Sequence, residues 1–174
     1  MRAYQLYESW QDYSYENPDI EDTYDPFVEE IINYLYQRGD DPDEMGLTED
    51  RIYETKREIE GKFRGEICRV MRLTPSQVKK LKPGDSLGNH WTMTRELVDP
   101  SNIRADGPGN LYWFYCQIQH DDVDWAKTVS SALMFGDEDE INPSNSARLI
   151  LTKAYDNDGN IVRPELSGKV FHAG

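Results

Sequence analysis

Three short segments of the chain hold side chains whose types and spacing suit chemistry. The first is Ile67-Cys-Arg-Val-Met-Arg-Leu73, with Arg69 and Arg72 inside an alternating, strand-like run. Burying an arginine is costly unless it is paired. A strand arginine among apolar neighbours therefore lies in solvent at an edge, closes a structural ion pair, or turns into a cleft. In a cleft its planar fork suits a phosphate or carboxylate. The two arginines sit three positions apart and point to opposite faces; the more central Arg69 is the preferred one. The second segment is Leu87-Gly-Asn-His-Trp-Thr-Met-Thr94. Gly88 lets the backbone approach a neighbour closely, and His90, Trp91 and Thr92 follow at once. That composition suits ligand contact, and equally a capped turn. The third is Gly136-Asp-Glu-Asp-Glu-Ile141. In an extended segment Glu138 and Glu140, at i and i+2, point the same way. They place two carboxylates beside one substrate, or else form an acidic surface turn.

Other chemistries lose support. No Gly-x-Gly-x-x-Gly, P-loop, Gly-x-Ser-x-Gly or His-Glu-x-x-His pattern is present. None of His90, His120 and His172 has a second His or Cys at ligand spacing, so no metal site is expected. Cys68 and Cys116 each sit in an apolar run and read as reduced core residues.

The elements that must position these segments follow from periodicity and punctuation. Asp25, Pro26 and the apolar face of Phe27, Ile31, Ile32 and Leu35 predict a helix over 25–38, ended by Gly39. Thr48 caps a second helix over about 49–64, with Ile52, Ile59 and Phe63 in line. Ile67–Leu73 is a strand, Thr74-Pro75 opens a short helix through Leu81, and 82–85 is a turn. A short helix or loop is expected at 95–104, and a strand over Leu111–Gln119. A helix is expected over 122–134, a strand over Ala147–Ala154, a turn over 156–159 and an edge segment over Val162–Val170. Helices come first and strands dominate afterwards, a pattern of α+β class and not of a doubly wound parallel sheet. Two regions are expected: an acidic helical one over 1–66 and a β-rich core over 67–174.

Charge divides the chain at the same place. Among 174 residues, 33 acids and 19 bases give a net charge of −14. Residues 1–66 hold 19 acids and 7 bases; the rest is close to neutral. The first 24 residues add Tyr4, Tyr7, Trp10, Tyr13, Tyr15 and Tyr24, more aromatics than disordered tails carry. Such a chain does not bind nucleic acid through a general basic field. It suits a basic partner, or is simply a solvated acidic surface. Mean hydropathy is −0.80, apolar runs are far short of the ~20 residues that span a bilayer, and the first residues lack a signal-peptide apolar run. A cytoplasmic protein without membrane contact is expected.

Taken in order, a strand arginine, a Gly-x-His-Trp-Thr segment and Glu-x-Glu-Ile resemble the Arg–Ser/Thr–Glu triad of mono-ADP-ribosyltransferases. The strings Arg-Val-Met-Arg-Leu, Leu-Lys-Pro-Gly-Asp-Ser-Leu-Gly-Asn-His-Trp-Thr and Gly-Asp-Glu-Asp-Glu-Ile are similar to those of phage and bacterial members. The resemblance covers about residues 67–155. It implies N-terminal helices followed by a split, mainly antiparallel β core, with NAD as substrate and a protein or nucleic-acid acceptor. It implies that Arg69 holds the pyrophosphate, that Thr92 supports the ribose or the catalytic glutamate, and that Glu140 binds the ribose 2′-hydroxyl and stabilises an oxocarbenium-like transition state. Glu138 would orient or deprotonate the acceptor, with Gly88, His90 and Trp91 on the NAD side. His90-Trp91-Thr92 stands where many members carry Ser-x-Ser, so the hydroxyl role falls to Thr92 alone. Two other readings compete. One is an acidic interaction protein, a nucleic-acid mimic or inhibitor that binds a basic partner through residues 1–66. The other is a transferase-like fold without activity, or a structural protein of a virus particle.

Overall fold

The computed structural model describes residues 25–93, 108–136 and 139–174. The expectations for residues 1–24 and 95–104, and the role assigned to Glu138, lie outside the described residues.

Two helices come first among the described residues. In α1 (Pro26–Gln37) the Asp25 carboxylate accepts from the N–H groups of Phe27 and Val28, and Val28, Ile31, Ile32 and Leu35 form the buried face. In α2 (Glu49–Lys62) Thr48 accepts from Arg51 N–H, and Ile52, Thr55 and Ile59 are buried. After β1 (Glu66–Leu73) comes the short α3 (Pro75–Lys80), opened by a reciprocal Thr74–Gln77 capping box. Then follow β2 (Trp91–Thr92), β3 (Asn110–Gln117), a 3₁₀ turn (His120–Asp122), α4 (Trp125–Phe135), β4 (Glu140–Ile141), β5 (Arg148–Asp156), a second 3₁₀ turn (Pro164–Leu166) and β6 (Val170–His172).

The six strands form one sheet in the order β4-β2-β1-β3-β5-β6, antiparallel throughout. The sheet must curl. Leu87 N–H donates to His172 O beside β6, while Thr92 pairs with Cys68 on β1. Five residues reach at most ~17 Å, whereas β2 and β6 in a flat sheet would be about 19 Å apart, at four strand spacings. One face of the sheet, with Ile67, Phe114, Leu149, Leu151 and Phe171, joins α1, α2 and α4 in the main core. The other carries a smaller cluster of Cys68, Val70, Trp113 and Tyr115. The α+β class is thus observed. Val28, Ile31 and Leu35 share one core with Phe114 and Leu149, so the 1–66 and 67–174 regions meet in a common interior.

Two expectations need correction. Helix α4 begins at Trp125, not 122, because Asp124 caps it by accepting from Lys127 N–H and the preceding residues form the 3₁₀ turn. Val162–Val170 is not a continuous edge strand. Val162 N–H donates to Ala154 O, then Arg163 takes a left-handed φ of 49° and Pro164, which lacks a ladder donor, opens a 3₁₀ turn; bonding to β5 resumes at Gly168, whose N–H donates to Leu151 O at 2.7 Å. Among the described residues, no helix is long and apolar enough to cross a membrane. Both cysteines are free and buried, and burial pushes the Cys116 thiol up.

Candidate active site

The three chemistry-bearing segments fall on three neighbouring strands. Glu140 lies on β4, Thr92 on β2 and Arg69 on β1, although 71 positions separate Arg69 from Glu140 in the chain. Thr92 stands directly opposite Glu140 on one side and Cys68 on the other.

Arg69 is half-buried opposite Phe114. Its Nη1 is buried without a hydrogen-bond partner among the described residues, and burial lowers its pKa from the ordinary value. An arginine remains charged even so. The guanidinium lies against Gly88, which has a φ of 86°; a Cβ there would come within 2.0 Å of Nη1 and 2.6 Å of Cζ. The missing side chain of Gly88 is therefore the space that the guanidinium occupies. Two bonds fix the glycine: its N–H donates to Ser86 Oγ at 3.2 Å, and its carbonyl accepts from Trp91 Nε1 at 2.8 Å. Trp91 is 2% exposed. Its indole thus pins the Gly88 turn and presents little surface to a ligand, unlike the role expected for it beside NAD.

Glu140 has an imidazole beside it. His90 Nδ1 lies 3.0 Å from Glu140 Oε1, and His90 is otherwise exposed. The imidazole stands beside the carboxylate, and Thr92, buried on β2 between β1 and β4, lies directly opposite Glu140. Asp139, immediately before Glu140, takes a left-handed φ of 44°. Lys62 Nζ, at the end of α2, holds Asp139 at 3.3 Å. Behind β4, Asn142 N–H donates to the buried Thr128 Oγ1 of α4 at 3.0 Å.

Strand alternation sorts these groups. Arg69 shares the main-core face with Phe114, beside Leu87 and Trp91. Thr92 and Glu140, paired in register with Cys68, share the opposite face. The Gly88–His90 turn joins the two sides, with Gly88 against Arg69 and His90 against Glu140. Arg72 lies on the Cys68 face, where its Nη1 donates to Gly109 O at 3.0 Å. Arg69 thus has the glycine cradle and the unpartnered nitrogen, and Arg72 has the face of Glu140. No group of three or more His, Cys, Asp or Glu with metal-site geometry exists among the described residues.

The His90–Glu140 contact joins residues 50 positions apart, and no local signal in the sequence announces it. The close approach at Gly88 was legible, and its partner is Arg69. Comparison with family models, with curated proteins and with solved structures finds no match to this chain.

Proposed function

We propose that this protein is an NAD-dependent ADP-ribosyltransferase. The observation that carries the reading is the assembly of the Arg69, Gly88–Thr92 and Glu140 segments on three adjacent strands, with a buried, unpartnered guanidinium nitrogen at one end and a His90-held carboxylate at the other. NAD bends round the Gly88–His90 turn, its pyrophosphate on Arg69 and its nicotinamide ribose at Glu140. The nicotinamide–ribose bond breaks with its electron pair leaving on nicotinamide. Glu140 accepts from the ribose 2′-hydroxyl and stabilises the positive charge that develops on the ribose. The acceptor nucleophile then bonds to the anomeric carbon, and Glu138 takes its proton. His90 keeps Glu140 aimed. The acceptor is a protein or a nucleic acid, and the acidic first third suits a basic surface beside it.

The test is NAD turnover by the full chain with cell lysate, following nicotinamide release and labelled ADP-ribose on macromolecules. Glu140→Gln is expected to lower release ~10²–10³-fold, the scale of losing one preorganised electrostatic group. Arg69→Ala is expected to weaken NAD binding, and Arg72→Ala beside it identifies which arginine holds the pyrophosphate. A folded wild-type chain that neither releases nicotinamide nor binds NAD sinks the reading and leaves the acidic interaction protein in its place.

A further inference from the structure

A second cleft lies away from the Gly88–Glu140 turn, where the start of β1, the end of β3 and the start of β5 come together. It has a volume of about 360 Å³, within the range of small-molecule sites. Arg64 and Arg148 line it, with Gln117, Gln119 and Asp122 between them and Ile150 as an apolar wall. Gly65 builds it: with a φ of 81°, it approaches Ile118 closely enough to accept from that residue's N–H at 2.8 Å. Arg64, just beyond α2, thereby lines the same cleft as Gln117 of β3 and Arg148 of β5.

Two cations in one cleft of a chain with net charge −14 call for an explanation. Arg64 Nη1 donates to Gly61 O at 2.8 Å and Phe63 O at 2.9 Å, capping carbonyls at the helix end. That fixes the guanidinium and leaves its other nitrogens without partners among the described residues. Capping accounts for one nitrogen of Arg64 and for none of Arg148, which is exposed and whose side chain makes no ion pair or hydrogen bond among the described residues. The side chains of Gln117, Gln119 and Asp122 are likewise without hydrogen-bond partners there.

We infer that this cleft binds a small phosphomonoester that carries hydroxyl groups, of the sugar-phosphate class. Planar guanidinium forks match phosphate oxygens. Asp122 would repel a bare phosphate but accepts from the hydroxyls of the organic part. The glutamine amides serve either group, and Ile150 packs on the sugar ring.

The experiment is an NMR titration of the full-length chain with ribose 5-phosphate, reading the amides of Gly65, Ile118 and Gln119. Saturating shifts at these amides are expected. Affinity should fall at least tenfold in Arg148→Gln, whose exposed side chain supports no packing, and should survive Arg69→Ala. Inorganic phosphate should bind the same amides more weakly. An absence of shifts overturns the assignment, as does an affinity unchanged in Arg148→Gln. Loss of binding in Arg69→Ala moves the ligand to the other site, and phosphate binding as tightly as the sugar phosphate removes the hydroxyl-bearing class.

Discussion

At the scale of single residues, the molecule turns on what Gly88 lacks. Any Cβ there meets the Arg69 guanidinium and also has to adopt a left-handed φ. A left-handed conformation alone costs a non-glycine residue ~1–2 kcal/mol. Gly88→Ala is therefore expected to lower stability by about that amount and to push Arg69 from its cradle. Denaturant unfolding and NAD titration of the same variant check the two parts. A fall in stability with NAD affinity intact means that the position of Arg69 does not matter to the ligand. Trp91 shows why side-chain type alone misleads. An aromatic beside a candidate site reads as a ligand contact, but its indole N–H serves Gly88 and its ring fills the core.

At the scale of elements, two joints hold the strands that carry the site. The first is α4 to β4. Thr128 is fully buried and its Oγ1 accepts from Asn142 N–H, one residue after β4. Thr128→Val keeps the shape and orphans that buried donor, which costs about 1–3 kcal/mol. Urea unfolding should show that loss, and nicotinamide release should fall further than stability explains, because β4 positions Glu140. The second joint ties α2 to the turn before α4. His120 Nε2 lies 2.8 Å from Glu60 and the ring stacks on Trp125, while Lys56 holds the other Glu60 oxygen at 2.7 Å. The Glu60 bond raises the His120 pKa above its ordinary 6.5. Burial alone would raise Glu60, but its bonds to Lys56 and His120 bring it below its ordinary 4.5. A raised histidine stabilises fully below its unfolded value and loses that contribution as pH rises through the folded one. A lowered glutamate stabilises above its unfolded value and loses its contribution as pH falls. The joint is thus strongest between those two ordinary values. Stability should decline as pH rises above about 6.5, and His120→Gln should flatten the decline in thermal unfolding. An unchanged slope in the variant assigns it to other groups.

At the scale of the whole molecule, α1 and α2 share a core with the sheet, although charge divides the chain near residue 66. Shared burial couples their stabilities, so unfolding should be one cooperative step. Far-ultraviolet dichroism and tryptophan fluorescence should give coincident transitions. An earlier loss of helical signal would show that the helices are a unit of their own. Most elements are legible in the sequence, because their causes are local. Asp25 and Thr48 cap helices, apolar residues at helical spacing mark their buried faces, and the alternation around Arg69 marks β1. The sequence also brought out Arg69, Gly88, His90, Thr92 and Glu140 as candidates, since residue type restricts chemistry. Which of them meet depends on the folded sheet. The curl that seats the Gly88 turn on Arg69, the pairing of His90 with Glu140, the face shared by Arg72 and Glu140, and the cleft between Arg64 and Arg148 all join residues far apart in the chain. Such contacts are set by strand order and register, which depend on the packing of the whole sheet and not on any local run of residues.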